Sequence, residues 1–236
     1  MRRLALSLLA VLLVPAEALS ADLAPPREIL FEETPIASQR GFYARVDAIL
    51  DIPIAPDASR FRNESLAIGG GMEGGLGYQF NEWFRADATV GFVAPRGYDA
   101  RGVCLTCGNG TISSYDANIT TVPILANAYV GLPNSTIFTP YVGGGIGAAY
   151  VSVGDFTETL ANNTVVNRPD HSQWNFAWQL SAGVSADILP NASVDLGYRY
   201  LNAGEARGGR VAGQSIDLGD VQSHQIRLGV RMSLFQ

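Results

Sequence analysis

Between Trp174 and Ile188 the chain alternates with a period of two. Phe176, Trp178, Leu180, Ala182, Val184, Ala186 and Ile188 form one row, while Asn175, Ala177, Gln179, Ser181, Gly183, Ser185 and Asp187 form the other. The last stretch repeats the pattern, setting Ile226, Leu228, Val230, Met232 and Leu234 against Gln225, Arg227, Gly229, Arg231 and Ser233. Such alternation marks strands whose two faces meet different surroundings, not a helical stripe. Segments 41–50, 66–80, 83–94, 119–132, 138–151 and 192–202 follow the same template. With 174–188 and 223–235 they predict eight strands of about ten residues or more, long enough to cross a membrane when tilted. Their connections are short at 81–82, 133–137 and 189–191, and long, polar and rich in Gly, Asn and Asp at 51–65, 95–118, 152–173 and 203–222. The chain is therefore expected to be all-β, an eight-stranded antiparallel transmembrane β-barrel of up-and-down order, with short periplasmic turns and four long extracellular loops.

The apolar row is expected to face lipid, because the opposite row is unlike a solvated surface. Glycine recurs on it at positions 69, 71, 75, 77, 143, 145, 147, 183, 197 and 229, as a narrow lumen crowded with side chains requires. The same row carries Arg45, Arg85, Arg199, Arg227 and Arg231 with Asp47, Glu73, Asp87 and Asp195. Charges enclosed in a barrel must pair and hydrogen-bond, so these nine residues are predicted to form one interior cluster. Aromatic residues gather at both strand ends: Phe42, Phe80, Trp83, Phe84, Phe138 and Phe235 toward the short turns, and Phe92, Tyr150, Trp174, Phe176, Trp178 and Tyr200 toward the long loops. Two interfacial girdles are the usual means of fixing a barrel's depth.

Composition narrows the function classes. Of 236 residues 47% are hydrophobic and 16% charged, which excludes a disordered chain. The formal charge is -6 and every basic residue is arginine, so no basic stripe exists for a nucleic acid. Residues 1–20 read as a secretory signal, with Arg2 and Arg3 before the apolar Leu4 to Val14 and a small-residue exit ending at Ala18 or Ser20. Residues 21–40 read as a periplasmic extension and 41–236 as the barrel domain. Export favours a disulfide between the two cysteines, Cys104 and Cys107, which lie in a Gly/Asn-rich loop. A redox site would place a helix behind such a pair, and a zinc site would add two ligands; neither pattern is present in this sequence.

Three segments in order, Thr139 to Tyr150 (TPYVGGGIGAAY), Phe176 to Ser185 (FAWQLSAGVS) and Val194 to Tyr200 (VDLGYRY), resemble the late strands of small bacterial outer-membrane barrels. The resemblance covers about residues 41 to 235. It points to the opacity-protein and OmpA/OmpX-type group, including alphaproteobacterial surface antigens. It implies an outer-membrane protein with roles in envelope integrity, adhesion or immune contact, whose partners are outer-membrane lipid and lipopolysaccharide, the barrel assembly machinery, and a host or surface ligand at the loops. No cofactor, metal or catalytic residue comes with it. Relatives usually end on an aromatic residue in the lipid-facing row, whereas here that slot is Gln236. Two rival functions stay open: a narrow porin-like channel for small solutes, and a lipid A-modifying hydrolase using Ser and His, for which His171-Ser172 and Ser223-His224 are the available residues. Gly69 to Gly74 matches a dinucleotide-binding glycine pattern, but alternation runs through it and no helix is predicted after it. Six Asn-x-Ser/Thr sequons start at Asn63, Asn109, Asn118, Asn134, Asn162 and Asn191, and read as products of Asn-rich turns.

Overall fold

The computed structural model describes residues 40–55, 61–104, 107, 110–211 and 214–234. The predicted leader, the extension up to residue 39, and Phe235 and Gln236 lie outside the described residues. The described chain is all-β: β1 Gly41–Pro53, β2 Phe61–Leu66, β3 Gly69–Gln79, β4 Phe84–Val103, β5 Ile112–Gly131, β6 Phe138–Thr159, β7 Val165–Asn167, β8 His171–Leu189, β9 Ala192–Val211 and β10 Gln214–Ser233. Every ladder is antiparallel, and β1 pairs with both β3 and β10. The remaining pairings run β3–β4–β5–β6–β8–β9–β10, so eight long strands close on themselves. β2 prolongs the line of β3 along β4, and β7 folds back on the end of β6. Closure satisfies the backbone from strand to strand without an open edge, which a lipid-exposed sheet requires.

Within the membrane-facing band the apolar row points outward. Val46, Met72, Leu76, Ile146, Leu180 and Leu228 are all exposed, as are the ring residues of the lower girdle, Phe42, Phe80, Trp83, Phe84 and Phe138. Large side chains fill the lumen by lying across glycines: Tyr43 over Gly77, Tyr129 over Gly143, and Tyr141 over Gly183 and Gly197. The short turns are built by asparagine. Asn81 Oδ1 accepts from the amides of Trp83 and Phe84 at 2.8 Å each, and Asn134 Oδ1 accepts from the Thr136 amide at 2.8 Å. The glycine motif at 69–74 belongs to strand β3, with no helix after it.

All four expected long loops are corrected, for even in 51–65 β1 runs to Pro53 and β2 starts at Phe61. Much of 95–118, 152–173 and 203–222 is strand: β4 runs up to Val103, β5 starts at Ile112, β6 reaches Thr159, β8 starts at His171, and β9 and β10 meet across a short tip. Period two continues through these stretches with the polarity exchanged. Tyr98, Ala100, Tyr115, Ala117, Val151, Val153, Leu201 and Ala203 are buried inside, whereas Asp99, Arg101, Ser114 and Asp116 are exposed. An inside-apolar strand is ordinary for a sheet facing water. Above the lipid-facing band the hairpins thus enclose a second core of soluble type.

Candidate functional site

The structure brings all nine predicted interior charges into the lumen, where they fall into tiers. In the middle tier Arg45 grips Asp47 with two hydrogen bonds, Nε to Oδ2 at 2.9 Å and Nη2 to Oδ1 at 2.7 Å. Its Nη1 reaches Asp87 Oδ2 at 3.0 Å and Tyr129 Oη at 3.1 Å. Glu73 stands between two arginines, accepting from Arg199 Nη1 at 2.6 Å and from Arg227 Nη1 at 3.1 Å. Below, Asp195 lies 3.8 Å from both Arg85 and Arg231, and Arg85 sits between the rings of Tyr129 and Tyr141, 4.8 and 4.5 Å from their centroids. Charge-assisted hydrogen bonds of this kind offset the cost of enclosing ions away from water.

A further pair completes the network and escaped the alternation pattern. Asp51 and Arg96 form a buried ion pair in an upper tier, where Gln225 Nε2 donates to Asp51 Oδ1 at 2.6 Å and Arg96 Nη2 to Thr121 Oγ1 at 3.2 Å. Asp51 is in phase with Arg45 and Asp47, one residue beyond the strand segment that alternation predicted. Arg96 is out of phase with Arg85 and Asp87 because the β4–β5 register shifts between Val93 and Arg96, around Pro95.

Above this tier the lumen becomes apolar. Tyr98, Tyr115, Ile119 and Leu218 are 0% exposed and Phe156 is 1% exposed, in a core shared by β4, β5, β6, β9 and β10. The β9–β10 hairpin bends to join it. Gly204 and Gly219 adopt φ of 74° and 86°, and the ladder between these strands shifts register at Asp217, Asp220 and Gln222. Side chains fix both bends, since Asn202 Oδ1 accepts from the Gly204 amide and Asp217 Oδ1 from the Gly219 amide, each at 2.9 Å. The β8–β9 ladder ends at Trp178 and Asn202. Above it Asn175 Nδ2 donates to the carbonyls of Ala203 at 3.0 Å and Glu205 at 2.7 Å, and Gln173 Nε2 to that of Glu205 at 2.6 Å.

Cys104 and Cys107 are joined by a disulfide at the tip of the β4–β5 hairpin. Beneath it Tyr115 Oη lies 2.8 Å from both the Val103 carbonyl oxygen and Glu158 Oε1, so that its one proton serves either acceptor, and Arg168 Nε donates to Glu158 Oε2 at 2.8 Å. On the outer face Asp99 and Asp116 stand directly opposite each other across β4 and β5, an unfavourable placement for two like charges. Local burial, then a hydrogen bond with Asp99 and its charge, push the Asp116 carboxyl above the usual carboxylate range. A carboxyl whose folded pKa is raised gains stability as pH falls through that pKa and loses it toward neutrality. Protection factors of the hairpin amides between residues 99 and 116 are expected to rise on acidification from pH 7 to about pH 4, and Asp99→Asn to flatten that dependence.

In both histidine candidates the strand separates the adjacent Ser and His. His224 faces outward with Nδ1 2.7 Å from Tyr198 Oη, while Ser223 faces the lumen at 3% exposure. His171 is exposed, and Ser172 Oγ lies 2.8 Å from Ser152 Oγ. Successive residues of a strand point to opposite faces, which separates each adjacent Ser and His.

Comparison with known proteins agrees with this architecture. A Brucella abortus (strain 2308) protein of uncharacterised function is 34% identical over 166 residues, covering 64% of this chain and 58% of its own length. The chain thus spans less than two thirds of that relative. A Rickettsia canadensis protein named as a candidate adhesin is 29% identical over 167 residues, covering 68% of this chain and 72% of its own. Among solved structures, the outer membrane protein OprG of Pseudomonas aeruginosa superposes with a TM-score of 0.51 at 14% identity, over 84% of this chain and 98% of that one. Neisserial surface protein A gives 0.48 at 19% identity, over 82% and 97%. The model of the outer membrane protein β-barrel domain matches residues 6–233, so the chain belongs to that family and its place is the bacterial outer membrane.

Proposed function

We propose that the protein is a non-conducting surface protein: the barrel is an anchor, and the cap formed by its extended hairpins presents a disulfide-tipped, acidic face to a partner outside the cell. The observation that carries this reading is the apolar core across the outer end of the lumen, with Tyr98, Tyr115, Ile119 and Leu218 fully buried above the ion pairs. A hydrated path for small solutes would have to pass through that packing, which disfavours the porin-like alternative. The placement of His224 and Ser223 on opposite faces disfavours the hydrolase. The exposed cap residues include Asp99, Asp116, Asp155, Asp170, Asp217 and Asp220 against Arg101 and Arg210, with Arg207 paired to Glu205. Such a surface fits a basic partner, by contacts that weaken with salt. The adhesin name of the Rickettsia relative is consistent with this role. Cleavage of residues 1–20, a periplasmic place for 21–40, delivery by the barrel assembly machinery and a contribution to envelope integrity complete the proposal.

Conductance tests it. Refolded mature protein, shown to be inserted by its heat-dependent migration on a gel, is expected to be silent in a planar bilayer. Reproducible ohmic steps, altered by Arg227→Ala, would return the transport reading to first place.

A further inference from the structure

The ladders on both sides of the β9–β10 hairpin stop short of its tip. β8 continues to His171 in pairing with β6, but its ladder with β9 ends at Trp178 and Asn202. β1 follows β10 only as far as Ser223, with a last bond from the Ile54 amide to the Gln222 carbonyl at 2.9 Å, and β2 pairs with β4. Beyond these points β9 and β10 stay paired with each other up to Val211 and Gln214. Among the described residues the outer half of the hairpin, Ala203 to Val211 with Gln214 to Val221, therefore has no ladder to any other strand.

This outer half also leaves the barrel wall. β8 separates β6 from β9 in the ring, yet a Cβ on Gly208 of β9 would stand 3.1 Å from the Phe156 ring of β6, and the Gly209 amide donates to the Pro169 carbonyl at 3.0 Å. The hairpin is thus folded inward across the mouth, with Ala206, Ile216 and Leu218 buried in the apolar core. Gly204 and Gly219, at φ of 74° and 86°, flank the Glu205–Asp220 pair, one on each strand, and give both strands a place to turn. Side-chain amides replace the missing ladder on the β8 side, where Asn175 donates to the Ala203 and Glu205 carbonyls and Gln173 to that of Glu205. A few hydrogen bonds of small net worth are released at far lower cost than a strand ladder in the wall.

We propose that the outer half of the β9–β10 hairpin is a lid over the lumen, hinged at Gly204 and Gly219 and latched to β8 by Asn175 and Gln173. It swings as one body, because its own ladder stays intact while the latch and the apolar contacts release. Opening uncovers an outward-facing apolar cup that includes Tyr98, Ile119 and Phe156 and rests on the Asp51–Arg96 tier. No pore forms, since the ion-paired tiers below are untouched. The inference goes beyond the reading of the cap as a partner-facing surface and does not rest on it.

The test is thiol labelling of the refolded mature protein in micelles, with Ala206→Cys as reporter on the underside of the lid, where the side chain is 1% exposed. Its reaction with a maleimide follows the population of the open form. Adding Asn175→Leu, which keeps the bulk but removes two latch bonds, is expected to speed labelling about tenfold, and Gln173→Leu, which removes one, about threefold. Ser181→Cys, placed in the lumen below the cap, should stay unreactive with or without either change. Heat-dependent migration verifies folding, and Gln173→Leu carries the test alone should Asn175→Leu fail to refold. A second measurement asks whether the lid moves as one body. Spin labels at Asp99 and Arg207 should gain a longer distance in Asn175→Leu, while labels at Arg207 and Asp217, which face each other within the hairpin, should keep theirs. Unchanged Ala206→Cys labelling in the folded latch variants would overturn the proposal. So would a Arg207–Asp217 distance that broadens together with that from Asp99, since the hairpin would then unravel rather than swing.

Discussion

Glu73→Ala is expected to be the most damaging single substitution in the barrel, lowering stability by about 3–5 kcal/mol, because removing one member of a buried ion pair leaves the other charge uncompensated. Here it leaves two. Arg199 is 0% exposed and Arg227 1% exposed, and both direct a guanidinium nitrogen at this carboxylate. Arg199 keeps one further bond, from Nε to Gln225 Oε1 at 2.7 Å, and lacks a partner only at Nη2, whereas Arg227 has none at either Nε or Nη2 among the described residues. The cost should therefore fall mainly on Arg227. Urea unfolding of the refolded protein in detergent, followed by heat-dependent migration, would measure it. Adding Arg227→Met to Glu73→Ala should recover part of the loss, since the charge that was stranded is gone. A Glu73→Ala midpoint equal to that of wild type would mean that water enters the middle tier and solvates both arginines.

The second large effect is local. Phe156 stacks on Tyr115 with centroids 6.1 Å apart inside the apolar cap, and Phe156→Ala is expected to cost about 3–5 kcal/mol, as large-to-small changes in packed cores do. That loss should appear as opening of the cap with the barrel intact. Trypsin is the natural probe, because Arg101, Arg207 and Arg210 are exposed in the hairpin extensions while Arg45, Arg199 and Arg227 are enclosed by the barrel. Cleavage in the hairpins should accelerate, while heat-dependent migration stays as in the wild type. Equal cleavage rates would show that the cap is held by its hydrogen bonds, chiefly those of Glu158 with Tyr115 and Arg168, and not by its apolar contacts.

The eight-stranded ring and its direction were legible because lipid imposes a uniform demand on one face. A segment such as Trp174 to Ile188 satisfies that demand at every second position, and the arginines and acids of the opposite row can then only face the lumen. The hairpin extensions were not legible by the same rule. From Tyr98 to Val103 and from Ile112 to Ile119 the row that faces inward becomes the apolar one, so a search for apolar-outward strands reads the stretch as loop. Turn-like residues reinforced that reading, since Gly, Asn and Asp are frequent there. Arg96 was missed for a related reason: the shift at Pro95 moves it to the other parity, and no period-two pattern carries across such a shift. The upper aromatic girdle was half legible. Phe92, Trp174, Trp178 and Tyr200 were visible as its members, but the pairing of Tyr198 with His224 depends on which strands become neighbours.

The exchange of polarity inside the barrel also bears on how strands find their register during assembly. In a barrel whose lumen is polar throughout, sliding one strand by two residues, about 7 Å, keeps every side chain on its proper face and changes little else. In this protein the same slip carries a residue into a tier of different chemistry. Displaced in one direction, Arg96 would enter the level of Tyr98 and Phe156; displaced in the other, Ile119 would descend among Asp51 and Gln225. Errors that preserve facing, which alternation by itself cannot detect, are thus penalised at the boundary between the two cores, and the stacked tiers act as a built-in proofreading of strand alignment.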